Sequence, residues 1–341
     1  MRPIHSNLRR NLDRKVAEIF RLWVLCLLAV SVGSVSLNAQ TRTLAYVTND
    51  SGGVGQGTLS VIDTATNSVV GSPIAVGASS PIAIAITPDG TRAVVANFDS
   101  DSVSVINTAT NTLIGAPLIV GSRPRGVAIT PDGTRAYIAD YGGGPGPGGG
   151  VAGISVIDIA TVAVVGSPID PGVRPFNIAI TPDGTHAYVT CACAGGPSFG
   201  VGVLDTSTNT VVGSPIPIPL SYSVAIAPDG TRAYVTGEID NGTVNVVFVI
   251  DTATDTVIGA PIPLPGEIGV AVAITPDGTR AYVAAESVSA SSVTVIDTAT
   301  NMIVGLPIAA GKALAGLAIT PDGTRAYFTD FSTNAVSSSS A

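Results

Sequence analysis

The sequence predicts an all-β fold, a seven-bladed β-propeller whose blades are four-stranded antiparallel sheets. One ten-residue motif, close to AITPDGTRAY, occurs six times, starting at Ala85, Ala128, Ala179, Ala225, Ala273 and Ala318. Its prolines lie 43, 51, 46, 48 and 45 residues apart, and a period in the forties with strand-like content is typical of propeller blades. The 39 Gly and 24 Pro of the 341-residue chain fit many short strands joined by tight turns.

Each repeat unit predicts four strands, as residues 124–170 illustrate. The first and second strands are joined by a Pro-Asp-Gly turn, in which Pro131 presets φ, Asp132 bonds nearby backbone and Gly133 supplies the positive φ. A second turn, written DTATN in other units, joins the third and fourth strands; its Asp caps local amides and its Asn takes the left-handed position. The four predicted strands are RGVAIT, TRAYIAD, GISVIDI and AVVGSPI.

The number of blades follows from the second strand, which occurs seven times, around Tyr46, Val94, Tyr137, Tyr188, Tyr234, Tyr282 and Tyr327. The chain enters the repeat at a second strand and ends in a serine-rich stretch, so we expect an incomplete last blade. A six-bladed ring, in which residues 316–320 complete the first blade, is the alternative. A poorly closed ring predicts an exposed sheet edge and lower stability.

The N-terminus has the pattern of an export signal. A basic stretch precedes the apolar run Leu22–Leu37, and cleavage fits after Ala39. The run is short for a membrane span, although an uncleaved anchor is an alternative. The sequence therefore predicts a signal peptide over residues 1–39, a propeller over 40–341, a periplasmic, extracellular or cell-surface location, and no stable membrane insertion after cleavage.

The charge balance argues against nucleic acid as a partner. Residues 1–39 hold six basic and two acidic side chains, so the remainder carries 10 basic against 22 acidic ones, a net charge of −12. Such a surface repels phosphate backbones.

Two cysteines, Cys191 and Cys193, lie in the predicted mature chain. Free thiols, a disulfide and a metal site all stay open. Residues i and i+2 of a strand need a bend to form a bridge, and no histidine lies nearby in the sequence to strengthen a metal site.

The segments AYVTND at 45–50, VIDTATN at 61–67 and ITPDGTRAY at 319–327 resemble the repeats of the YVTN-family (YncE-like) β-propellers. The resemblance covers about residues 41–334. It implies the propeller fold and an exported or surface protein with a binding role. The wider group includes lactonase-like propellers, which imply a hydrolase as the alternative. It also includes a haem-carrying domain, but the Cys-x-x-Cys-His motif that attaches haem covalently is absent from this sequence.

The candidate binding face is the one that carries the crossovers between blades and the variable connections between second and third strands. The crossovers contain four cations, Arg123, Arg125, Arg174 and Lys312. Cations around the mouth of a propeller channel predict capture of a carboxylate or phosphate group. The alternative is that they are solvated or pair with Glu267 and neighbouring loop acids.

No catalytic, metal or cofactor site is predicted. His186 is the only histidine beyond residue 39 and lacks the partners of a nucleophilic triad. Loop acids at Asp50, Asp99, Asp101, Asp140 and Asp240 make calcium a weaker alternative. An arginine two residues after the turn glycine, as in Arg92, is expected to support the opposite face, pairing with the turn Asp. The sequence thus favours a non-enzymatic scaffold for a small anionic ligand, glycan or protein, with a lactonase-like hydrolase or a self-associating surface protein as alternatives.

Overall fold

The computed structural model describes residues 30–37, 40–50, 55–143, 150–192, 199–239, 244–264, 268–286 and 291–341. Seven antiparallel sheets surround a central axis, which confirms the seven-bladed β-propeller and rules out the six-bladed ring. The described residues contain no helix with the length and hydropathy of a membrane span.

Each blade runs outwards from the axis in chain order. Blade 1 contains β1 (Val30–Leu37), β2 (Gln40–Asn49), β3 (Thr58–Asp63), β4 (Ser68–Val69) and β5 (Ile74–Ala75). Blade 2 contains β6 (Pro81–Ile86), β7 (Arg92–Asn97), β8 (Ser102–Asn107), β9 (Thr112–Leu113) and β10 (Leu118–Ile119). Blade 3 contains β11 (Pro124–Ile129), β12 (Arg135–Asp140), β13 (Gly153–Asp158) and β14 (Ala163–Ile169). Blade 4 contains β15 (Ile178–Ile180), β16 (His186–Val189), β17 (Gly202–Asp205) and β18 (Thr210–Val211).

The remaining blades repeat this order. Blade 5 contains β19 (Ser221–Ile226), β20 (Arg232–Ile239), β21 (Val244–Asp251), β22 (Thr256–Val257) and β23 (Ile262–Pro263). Blade 6 contains β24 (Gly269–Ile274), β25 (Arg280–Ala285), β26 (Ser292–Asp297), β27 (Met302–Ile303) and β28 (Ile308–Ala309). Blade 7 contains β29 (Leu314–Ile319), β30 (Arg325–Asp330) and β31 (Ala335–Ser340). The expected incompleteness of the last blade is confirmed, since no described strand pairs with the outer edge of β31.

The start of the ring differs from the expectation that the chain enters at a second strand. β1 pairs with β2 from Val30↔Val47 to Leu37↔Gln40 and lies between β29 and β6 around the axis. The sequence did not single out this strand because its residues belong to the apolar run of the predicted signal. Export and cleavage themselves stay predictions.

The repeated motif forms the hairpin between the first and second strands of a blade. In blade 3 the Thr130 hydroxyl and the Thr134 amide donate to Asp132 at 2.5 and 3.0 Å. These bonds hold the pKa of Asp132 below its usual value. Gly133 has a φ of 71°. A Cβ added to it would lie 3.5 Å from Pro88 of the preceding hairpin, so successive hairpins meet on one face of the ring, here called the lower face.

Large apolar cores lie between neighbouring blades. In the second strand, the alanine that follows the arginine, or His186 in blade 4, is at most 1% exposed in all six repeats from Ala93 to Ala326. The small side chain lets adjacent sheets approach closely, while the next residue, usually Tyr, reaches towards the following blade. Burial of five of these tyrosines is nearly complete, at Tyr46, Tyr137, Tyr188, Tyr234 and Tyr327.

Those five buried tyrosines clasp the next blade. Each hydroxyl donates to the side chain at the left-handed position of the turn after the third strand, a set of hydrogen bonds here called the tyrosine clasps. They join Tyr46 to Asn111 (3.1 Å), Tyr137 to Asn209 (2.7 Å), Tyr188 to Asp255 (2.6 Å), Tyr234 to Asn301 (2.9 Å) and Tyr327 to Asn67 (2.6 Å). The acceptor residues have φ between 53° and 57°.

Between blades 2 and 3 both halves of the clasp are missing together. Val94 replaces the tyrosine, and Val162, with a φ of 53°, replaces the asparagine. A β-branched residue is strained in this conformation. Arg92 still joins the two blades by donating to the Ile159 carbonyl.

The arginine series does support the lower face, but its strongest contacts are with the next blade rather than with the turn Asp. Arg232 donates to the Thr298 carbonyl at 2.8 Å, and Arg325 to that of Thr64 at 2.6 Å. Because Arg325 and Tyr327 both hold the turn of blade 1, these side chains join the last blade to the first.

Tyr282 of blade 6, which faces blade 7, is the one repeated tyrosine that forms no clasp among the described residues. Among the described residues, blade 7 has no turn after its third strand that could supply the acceptor which the other tyrosines use. Its hydroxyl makes no hydrogen bond within the described part of the chain, and neighbouring Arg280 is exposed.

The clasp makes a direct prediction about stability. Replacing Tyr137→Phe removes a hydroxyl that donates to Asn209 and the Thr206 carbonyl, so we expect a loss of about 1–2 kcal/mol in the free energy of unfolding. Tyr282→Phe is the matched control and should change it by less than about 0.5 kcal/mol. Urea unfolding measures both. Equal losses in the two variants would contradict the role given to the clasp.

Candidate functional site

The upper face of the ring, opposite the hairpins, carries the crossovers between blades. One position of the repeat lies at the mouth of the central channel and changes from blade to blade. It is the second residue of the inner strand, except in blade 4, where it lies two residues before β15. This mouth position is occupied by Ile82, Arg125, Phe176, Tyr222, Val270 and Ala315 in blades 2 to 7. A cavity of about 210 Å³ lies at the mouth, and all but Tyr222 of these residues line it.

Arg125 is surrounded by aromatic rings. Its guanidinium lies 4.0 Å from the centre of the Phe176 ring, 5.4 Å from that of Phe98 and 5.7 Å from that of Tyr141. Burial of the cation lowers the pKa of Arg125 to about 10, and repulsion from Arg123 and Arg174 contributes. The side chain remains charged at neutral pH. Cation–π contacts of this kind stabilise a partly desolvated cation.

The aromatic side chains continue across three blades. Phe176 meets Tyr141 edge-on at 6.1 Å and Tyr222 at 5.9 Å between ring centres. The Tyr222 hydroxyl donates to Glu238 at 2.9 Å, and both residues are buried. Burial, followed by the negative charge of Glu238, raises the pKa of Tyr222. The side chains of this cluster therefore hold one another in place.

Arg174 and Arg123 belong to the same cluster. The Arg174 guanidinium lies 3.8 Å from the centre of the Tyr141 ring, and its Nε donates to the Tyr141 carbonyl at 2.9 Å. Arg123 lies 5.6 Å from the centre of the Phe98 ring. Its backbone has a φ of 56°, and its amide donates to buried Asp101 at 2.8 Å. We call the following residues the mouth cluster: Phe98, Arg123, Arg125, Tyr141, Arg174, Phe176, Tyr222 and Glu238.

The fourth predicted cation lies elsewhere. Lys312 is exposed at the start of blade 7, with two blades between it and blades 3 and 4 in either direction. Its amide donates to Asp330 at 3.0 Å and its carbonyl accepts from Ser291 at 2.7 Å, so the backbone is anchored. The structure thus brings together Arg123, Arg125 and Arg174 but separates Lys312 from them.

The aromatic members of the cluster were not predicted from the sequence. A signal was nonetheless present: of the eight tyrosines, six occupy the repeated second-strand position, or its equivalent, and the other two are Tyr141 and Tyr222. Both belong to the mouth cluster. A tyrosine outside the repeated position therefore marks a place where the repeat does not determine the side chain.

An acidic residue lies buried beside the cluster. Asp140 ends β12, directly before Tyr141, and is fully buried. Its Oδ2 accepts from the Ser155 hydroxyl at 2.6 Å, whereas its Oδ1 has no hydrogen-bond partner. Burial raises the pKa of Asp140 to about 7, the charge of Asp101 adds to the rise, and the bonds from Ser155 and Gly121 oppose it. Blade 2 has Asn97 at this position, where its Nδ2 donates to Ser104 at 2.8 Å.

The other candidate residues do not form a second site. Of the three states left open for the cysteines, the structure has the disulfide: Cys191 is buried and disulfide-bonded. Cys193, Glu267 and Asp240 lie outside the described residues. His186 lies on the lower face, with its Nδ1 2.8 Å from the Thr185 hydroxyl. Within the described ranges, no group of three or more His, Cys, Asp or Glu side chains is arranged to hold a metal ion.

Comparison with known proteins supports the fold. No protein-family model and no curated protein matches the chain, so the resemblance to the YVTN family remains a prediction. Among solved structures, this chain is similar to a chain in the structure of Kuenenia stuttgartiensis hydrazine synthase. The TM-score is 0.74 and the identity 25%, over 87% of this chain and 92% of that chain. It is also similar to a chain of the mitotic checkpoint complex, with a TM-score of 0.67 and 13% identity over 94% and 87%.

Buried Asp140 makes stability depend on pH. The folded chain keeps this carboxyl neutral up to about pH 7, whereas the unfolded chain ionises it near its ordinary pKa of about 4, so the fold loses stability as pH rises from about 4 to about 7. Asp140→Asn should therefore raise the free energy of unfolding at pH 8, on the order of 2–4 kcal/mol, with its Nδ2 donating to Ser155 as that of Asn97 does to Ser104. Below about pH 4 the gain should vanish, since the carboxyl is then protonated in both states.

The converse variant is Asn97→Asp, which buries a carboxyl at the same position of blade 2. It should lose stability above neutral pH and recover part of it on acidification. Urea unfolding at pH 4 and pH 8 measures both variants. A wild-type protein more stable than Asp140→Asn at pH 8 would contradict the unfavourable burial of this charge.

Proposed function

We propose that the chain is an exported, non-enzymatic β-propeller of the YVTN type that binds a ligand or a protein partner through the mouth cluster. The observation that supports this most is the distribution of large side chains. The lower face repeats almost unchanged, whereas Arg125, Phe176 and Tyr222 occupy mouth positions of three adjacent blades. Repeated positions serve the architecture, so a patch that departs from the repeat is the best candidate for binding.

The chemistry of the patch favours an anionic group. Three arginines converge within a few ångströms of shared rings, on a chain whose formal net charge is −8. Arginine and aromatic side chains are also the residues enriched at binding hot spots. An arginine held against ring faces presents its N–H edge in a fixed orientation, which suits a carboxylate or phosphate.

A protein partner is compatible with the same surface. The mitotic checkpoint complex includes a chain of similar fold, so this architecture occurs within protein assemblies. That similarity, at 13% identity, supports the scaffold role in general and names no partner for this chain.

Export supplies a separate prediction. Expressed with its own N-terminus in a bacterial host, the protein should be recovered outside the cytoplasm with Gln40 as its first residue, because the signal pattern fits cleavage after Ala39. N-terminal sequencing and intact mass measure this. Cleavage there would also remove β1 and free the inner edge of β2. An intact chain of 34.0 kDa in the cytoplasm would contradict export.

The binding proposal is tested by native mass spectrometry of the purified protein, followed by titration calorimetry with the compounds it retains. We expect a retained anion whose affinity falls about tenfold or more in Arg125→Gln, the size of effect typical for a lost bond to a charged group. Lys312→Gln is the matched control, because it removes a cation outside the mouth cluster. Equal affinity in Arg125→Gln and wild type would contradict the proposal, and turnover in a lactone hydrolysis assay would favour the enzyme instead.

A further inference from the structure

The mouth of the channel has a charged, aromatic side and an aliphatic side, and this difference limits the kinds of ligand that fit it. Blades 3 and 4 present Arg125 and Phe176. Across the axis, blades 6 and 7 present Val270 and Ala315, and blade 2 adds Ile82 beside Arg125. The charged side and the apolar side line the same cavity of about 210 Å³.

Below the mouth, most of the side chains that line the cavity are apolar. The next inward-facing residues of the inner strands line the same cavity, namely Ile84, Val127, Val224, Val272 and Leu317. Polar exceptions are Asn177 and Ser223, on the side of Phe176. The Ser223 hydroxyl already accepts from the Val272 amide at 3.3 Å, and Asn177 Oδ1 accepts from the Ile178 amide at 2.7 Å.

We infer that the mouth binds a small monocarboxylic acid with a compact hydrocarbon body. The carboxylate meets Arg125 at the upper rim, and the hydrocarbon lies against Ile82, Val270 and Ala315 and points down the channel. This inference rests on the proposed function and specifies the ligand of the same site.

Two physical arguments favour a carboxylate on hydrocarbon over a phosphate. A phosphate carries oxygens on every side, and those facing Val270 and Ala315 would lose water without gaining a donor from these side chains. A carboxylate places its charge at one end, where the planar guanidinium matches it, and its hydrocarbon releases water from the apolar side.

The experiment compares four probes by titration calorimetry: hexanoate, benzoate, 1-hexanol and inorganic phosphate. We expect one or both carboxylates to bind, and 1-hexanol and phosphate to bind at least about tenfold more weakly. Arg125→Gln should weaken carboxylate binding about tenfold or more and reduce the preference over 1-hexanol. Ala315→Leu, which fills the apolar side without touching the charge, should also weaken carboxylate binding.

Lys312→Gln serves as the control and should bind the carboxylates like wild type, and circular dichroism verifies that each variant is folded. Phosphate binding that depends on Arg125, without carboxylate binding, would overturn the inference but leave the proposed function in place. Carboxylate binding that Ala315→Leu leaves unchanged would also overturn it. If no probe binds, the inference fails, and the retained-ligand measurement decides the proposed function separately.

Discussion

The hydrogen bond from a buried tyrosine to the left-handed turn of the next blade is the interaction on which the ring depends. Sheets that pack through apolar faces alone have some freedom to slide, whereas a directed bond between buried partners fixes one relative position. The clasp also links two parts of the repeat that lie more than sixty residues apart, for example Tyr46 and Asn111. Between blades 2 and 3 the tyrosine and its acceptor are absent together, which indicates that they act as a pair.

The same interaction explains how an incomplete ring closes. Blade 7 lacks an outer strand among the described residues, yet Tyr327 and Arg325 hold the turn of blade 1 as their counterparts hold other turns. Apolar packing of Ala45, Val47 and Ile62 of blade 1 against Tyr327 completes this contact. Closure thus relies on side chains from the second strand of blade 7, and Phe331 and Val336 of the same blade pack against this contact.

Much of this fold follows from local rules in the sequence. Proline spacing and turn chemistry predict the blades, the hairpins and the left-handed asparagines, because Pro, Asp, Gly and Asn act within a few residues. β1 was missed, since its residues have the composition of an export signal. At the site, the crossover cations were predicted, but Lys312 was grouped with the arginines although two blades separate them. Sequence distance says little about position around a ring, and the ring contacts of Arg125 arise only when blades 2, 3 and 4 meet.

The uniformity of the repeat is what makes the mouth informative. If all seven blades placed the same residue there, the channel would be symmetric and would favour ligands that lie on the axis. In this chain, large side chains on blades 3 to 5 face the smaller Val270 and Ala315 of blades 6 and 7 across the mouth. An entering molecule then meets a cation on one side and hydrocarbon on the other, so its own polarity determines its orientation. A rigid scaffold can acquire such a site by changing one position per blade, because the tyrosine clasps that hold the blades lie on the opposite face and are unaffected.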